Sequence, residues 1–161
     1  YAGLMITKDG KINTLEFNCR LGDPETQPIM LRLKSDLVDL IEHALDGTLD
    51  KIEAEWDPRV ALGVVIASHG YPDHPRKGDV IRGLPERGDD YHVFHAGTAL
   101  DGAKVVTSGG RVLCVTALGH SVRMAQKRAY EIAGQITFDG MQLRRDIGYR
   151  AISLTGAARK P

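Results

Sequence analysis

Cysteine is scarce in this 161-residue chain, with two residues, Cys19 and Cys114, set far apart. That count supplies neither a zinc-ligand pattern nor a disulfide framework, and it suits a reducing, cytoplasmic setting. Net charge is absent as well. Lys plus Arg and Asp plus Glu number 21 each, so no global field draws the chain to nucleic acid or to an acidic membrane. No apolar run approaches the roughly 18 residues that a membrane-spanning helix needs. Internal repeats, low-complexity segments and a Gly-rich phosphate loop of the Walker type are also missing. What remains is 42% hydrophobic and 26% charged, the composition of a globular chain able to bury a core. The length suits one ordinary domain or two small ones.

The chain opens "YAGLMITKDG", without an initiator Met or a preceding turn, as a fragment entered partway through a strand would. Leu4–Thr7, the Lys8–Lys11 turn and Ile12–Cys19 predict a β-hairpin, because Asp9-Gly10 supplies the positive φ that a tight reversal needs. Alternation puts Asn13, Leu15, Phe17 and Cys19 on one face, with Phe17 expected in a core, and Thr14, Glu16, Asn18 and Arg20 on the other. Pro28 suits the first turn of a helix, where its missing N–H is not needed. Ser35 or Asp36 caps a second helix, with Leu37, Leu40, Ile41, Ala44 and Leu45 at helical spacing and Gly47 as its stop.

Asp57-Pro58 marks a change of character. Val60–Ala67 is a short, valine-rich apolar run that predicts a buried strand. A Gly/Pro loop, "SHGYPDHPRKGD", follows, and then further strands at Tyr91–Ala99, Lys104–Thr107 and Arg111–Leu118, divided by Asp101-Gly102 and Gly109-Gly110 turns. Ser121 caps a helix running to about Ile136, with Val122, Ala125, Ala129, Ile132, Ala133 and Ile136 buried. Met141–Arg145 returns to the sheet, and 153–161 reads as a frayed tail. The expected fold is α+β, with a unit of hairpin and helices over 1–55 and a small β-rich module with one long helix over 56–152.

The most informative stretch is "TLEFNCRLGDPETQP", Thr14 to Pro28. Strand residues two apart project on one side about 6.5–7 Å from each other. Glu16 and Asn18 can therefore offer one anionic and one neutral oxygen to a hard cation, which fills its other positions with water and substrate phosphates. Arg20 sits one step further along, where it can clamp an anion. Gly22 and Pro24 shape a turn that adds the Asp23 and Glu25 carboxylates. A merely solvated strand face would show the same alternation. A plain turn, however, gains nothing from two acids beside an arginine.

The run "EFNCRLGDPETQPIM", Glu16 to Met30, resembles the signature of the phosphoribosylamine–glycine ligase family, within the ATP-grasp enzymes. The resemblance continues through "LRLKSDLVDLI", "GVVIASHGYP", "FHAGT", "GGRVLCVTALG" and "AQKRAY" to "RRDIGYRAI", covering the chain to about Ile152. It implies ligation of glycine to 5-phosphoribosylamine in purine biosynthesis, with ATP as co-substrate and Mg²⁺ or Mn²⁺ as the metal. By this resemblance Glu16 and Asn18 hold the metal, and Arg20 is catalytic, neutralising charge during phosphoryl transfer. Arg20, Gly22, Asp23, Pro24 and Glu25 form the substrate pocket. It further implies that 1–55 is the end of an ATP-grasp domain and that the amino-terminal remainder of the enzyme is the missing partner. Alone, the chain is expected to be catalytically silent. Another ATP-grasp carboxylate–amine ligase and a non-catalytic assembly module of the same ancestry are the alternatives.

Gly70, Tyr71 and Pro72 match the family and could reach the site from the second unit, as could Arg111; a surface loop and a glycine turn explain them equally well. His69 and His74 lie in so Pro-rich a loop that a metal pair is not expected of them. Arg123, Lys127 and Arg128 form a basic stripe, read as a solvated helix face because no aromatic platform accompanies it.

Overall fold

The computed structural model describes residues 1–157. Strands β1 (Ala2–Ile6) and β2 (Ile12–Phe17) form an antiparallel hairpin, turned at Gly10 with φ 82°. Helices α1 (Thr26–Arg32) and α2 (Leu37–Leu45) follow. Asp36 is the α2 cap, accepting from Val38 N–H at 2.7 Å. Pro28 lies in the first turn of α1, as its missing donor requires.

The remainder is built on an antiparallel sheet in the order β4-β7-β3-β8, from β3 (Val60–Ala67), β4 (Tyr91–His95), β7 (Arg111–Gly119) and β8 (Gln142–Leu143). A separate hairpin, β5 (Thr98–Asp101) and β6 (Lys104–Thr107), lies beside it. Helix α3 (Val122–Ala133) is capped by the Ser121 hydroxyl and covers one face. Its Ala125 and Ala129 pack on Leu62, Val64 and Ala117. Its Ile132 and Ala133 join Ile66, Val112, Leu113, Val115, Ile136 and Phe138 in the larger core. The short side chains at 125 and 129 let the helix sit close to two central, largely apolar strands.

Helix α1 lies against the opposite face of β3 and β7. Gly63 makes this approach possible, since a Cβ there would stand 3.3 Å from Pro28 Cγ and 3.1 Å from Cys114 Sγ. The end of α1 is stitched to the strand segment before β3 by Asp57 N–H to Arg32 O (2.7 Å) and Lys34 N–H to Glu55 O (2.9 Å). Buried Asp57 in turn takes a two-pronged contact from Arg59, which holds its carboxyl well below the usual carboxylate range.

Helix α2 buries none of its apolar stripe, and Leu45 is 82% exposed. Three expectations are corrected. Phe17 is 78% exposed and Leu15 63%, and Cys19 is exposed too, because among the described residues nothing stacks on the hairpin face they share. The extended run from Tyr91 breaks at Ala96-Gly97, where the chain turns from the sheet into the β5–β6 hairpin. The expected frayed tail begins as helix: α4 runs Tyr149–Ala157. The rest of that tail, 158–161, lies outside the described residues.

Candidate functional site

The loop between β2 and α1 forms the wall of a cleft of about 800 Å³, lined by Tyr1, Arg20, Gly22, Asp23, Glu25 and Arg111 among others. Local chemistry shapes this wall. The Gly22 carbonyl accepts both the Thr26 N–H (3.0 Å) and the Thr26 hydroxyl (2.6 Å), closing the turn into α1. A side chain at Gly22 would collide with the Glu25 carboxylate. The Arg20 guanidinium donates to Leu21 O at 3.2 Å and lies 5.6 Å from the centre of the Tyr1 ring. It lines the cleft, and among the described residues no carboxylate forms an ion pair with it.

Glu16 and Asn18 stand beside this cleft instead of lining it. The link is Tyr1, whose backbone carbonyl accepts from Asn18 N–H (2.8 Å) and whose phenol donates to Glu16 Oε1 (2.8 Å). That hydrogen bond to a carboxylate raises the phenol's pKa, since the neutral phenol is the donor. The Asn18 side chain has its Nδ2 enclosed without a hydrogen-bond partner. Half a turn about its last torsion would put the amide oxygen there instead. One carboxylate and one underused amide are a fitting pair of oxygen donors for a hard divalent cation. Among the described residues no group of three or more His, Cys, Asp or Glu side chains could hold a metal alone. The pair would therefore need ligands from substrate phosphates or water.

Of the residues from the second unit, Arg111 reaches the loop. Its Nη2 is 2.9 Å from Asp23 Oδ2. Arg111 also lines a second cleft of about 560 Å³, together with Pro24, Gly63, Val65, Ala67, Tyr71 and Arg144. The Tyr71 ring lies directly on Gly110, where a Cβ would clash with it. Gly70 (φ 79°) turns the loop so that its N-terminal side meets His74, and neither Gly70 nor Pro72 lines the two clefts. The structure thus brings together Arg20, Gly22, Asp23, Glu25 and Arg111, keeps Glu16 and Asn18 adjacent, and puts Pro24 and Tyr71 around the corner. Tyr1 and Thr26 escaped the sequence reading. For Tyr1 the available signal was the hairpin register, which sets residue 2 opposite Phe17 and so brings Tyr1 to Asn18.

Comparison with known proteins decides the family. The family described as "Phosphoribosylglycinamide synthetase, C domain" matches residues 61–150. This chain belongs to that family. Whole-chain relatives agree: a "Phosphoribosylamine--glycine ligase" of Ralstonia nicotianae is 60% identical over 152 residues, 94% of this chain. One of Escherichia coli O157:H7 is 62% identical over 154 residues. The chain spans 36% of the length of each. A crystal structure of phosphoribosylamine–glycine ligase from Thermotoga maritima superposes with a TM-score of 0.72 at 40% identity, covering 91% of this chain and 36% of that one. The α+β architecture of the synthetase C domain is therefore the architecture of this chain. Among the described residues no helix is long and apolar enough to cross a membrane.

Proposed function

We propose that the chain serves as the carboxy-terminal part of a cytoplasmic ATP-dependent ligase joining glycine to 5-phosphoribosylamine, with 1–55 completing an ATP-grasp domain. One conjunction supports this reading: Arg20, Gly22, Asp23 and Glu25 line a cleft, with Glu16 and Asn18 beside it, in a chain 60% identical to a ligase of that name. ATP phosphorylates the glycine carboxylate, giving glycyl phosphate and ADP. The amine of phosphoribosylamine then attacks the acyl carbon, phosphate leaves, and glycinamide ribonucleotide forms.

The difficulty of the first step is charge, since a carboxylate must approach a polyanionic phosphate. Arg20, which lines the cleft and among the described residues has no acid paired to it, neutralises the transferring group. Glu16 and Asn18 would hold Mg²⁺ or Mn²⁺, which when bound supplies charge neutralisation at the ATP phosphates. Glu25 and Asp23 offer acceptors to the amino group or to ribose hydroxyls, and the turn at Gly22 and Pro24 sets their spacing. The exposed apolar faces of β2 and α2 would pack against the remaining 64% or so of a ligase whose relatives this chain covers to 36%. The test is ADP release by the complete enzyme with glycine and phosphoribosylamine. Release that requires both supports the reading; release that requires a different acid–amine pair, or none, overturns it.

A further inference from the structure

Arg111 occupies a position that its own strand holds rigidly. Its carbonyl accepts from Gly97 N–H at 2.9 Å, and its main chain lies opposite Ala67 on β3. The preceding Gly110 carbonyl accepts from Ser68 N–H at 2.9 Å, and the Tyr71 ring covers Gly110. Strand β7 is an interior strand of the sheet, so the Arg111 Cα is among the better fixed points near either cleft.

The loop from Arg20 to Glu25 is held differently. The Arg20 and Thr26 side chains bond within the loop, to Leu21 O and Gly22 O. Asp23 reaches outward, to Arg111. The ion pair is 42% and 56% exposed on its two sides, so solvent screens it and it adds little to stability. Its consequence is geometric: it fixes where Asp23 points, and with it the boundary between the two clefts that Arg111 also lines.

We propose that Arg111 is a positioning residue for the ligation, acting through Asp23 to clamp the substrate loop onto the edge of β7. This rests on the ligase reading of that loop. Because a misplacement of about 1 Å in a reacting constellation costs roughly 100-fold, loss of the clamp is expected in the rate and not in the melting temperature. The separation from a direct substrate contact is thermodynamic. If Arg111 acts through Asp23, removing it matters only while the Asp23 charge is present.

The experiment is a double-mutant cycle in the complete enzyme, with Arg111→Ala, Asp23→Asn and both together. Arg111→Ala is expected to lower kcat/KM for glycine roughly 10- to 100-fold, and Arg111→Lys to restore part of that loss by keeping a cation in reach. In the Asp23→Asn background the same Arg111→Ala change is expected to cost less than about twofold. Additive losses, or an Arg111→Ala enzyme as fast as wild type, overturn the proposal. Hydrogen exchange separates this from the function itself. The amides from Leu21 to Thr26 should exchange faster in Arg111→Ala while those of β3 and β7 do not change. Should the wild-type enzyme fail to ligate glycine, the ligase reading falls but faster loop exchange still establishes the clamp; unchanged exchange removes the clamp whatever the reaction.

Discussion

Glu16 and Phe17 are neighbours in sequence and opposite in consequence. The Glu16 carboxylate accepts from the Tyr1 phenol and adjoins the Arg20 cleft, so its negative charge is available where phosphate chemistry is proposed. Glu16→Gln keeps the hydrogen-bonding oxygen and removes the charge. In the complete enzyme it should reduce kcat by several orders of magnitude with the fold intact, as a steady-state assay beside a thermal melt would show. Asn18→Ala should weaken the response of activity to Mg²⁺ while changing the melting temperature little. An early melt with a normal metal response would make Asn18 structural. Asp57 belongs to the same scale but to stability. Its folded pKa is depressed by Arg59, so its contribution is present above the unfolded value of about 4 and lost as pH falls below it. Asp57→Asn should therefore flatten the loss of melting temperature from about pH 5 downward, with the difference from wild type still growing toward about pH 2, and a protein that melts with the same acid slope would contradict this.

At the scale of elements, burial divides the chain into parts that carry their own stability and parts that do not. Ile132 on α3 is fully enclosed by the sheet, and Ile132→Ala should destabilise this chain by about 2–5 kcal/mol through lost contacts and a cavity. Phe17→Ala on β2 should change the melt of this chain little, because Phe17 is already 78% exposed. In the complete enzyme, where the face is proposed to be covered, the same change should cost about 3–5 kcal/mol. Periodicity made β3, β6, β7 and α3 legible, since short valine-rich apolar runs and a helix with one alanine-rich face leave few alternatives. It misjudged Phe17 because alternation reports which residues share a face, not whether anything covers that face. The break at Ala96-Gly97 was missed because a bend between two β-rich runs leaves the pattern unchanged. The loop from Arg20 to Glu25 was legible from its residue types, but the Arg111–Asp23 pair was not, being a tertiary contact across distant parts of the chain.

The whole molecule pairs a well-packed β-rich body with an apolar hairpin and helix that it does not cover. Leu4, Met5, Ile6, Ile12, Leu15 and Phe17 are each more than half exposed. The chain alone should therefore bind a hydrophobic dye or self-associate, and a dye-silent monomer in sedimentation would contradict the account of these faces. The most direct test concerns the polar face of β2. ADP formation by the complete enzyme should be measured with glycine, phosphoribosylamine and Mg·ATP, for wild type and Glu16→Gln side by side. Turnover should depend on both substrates in the wild type and fall by several orders of magnitude in Glu16→Gln. Equal turnover in the two proteins, with the same dependence on Mg²⁺, would contradict it.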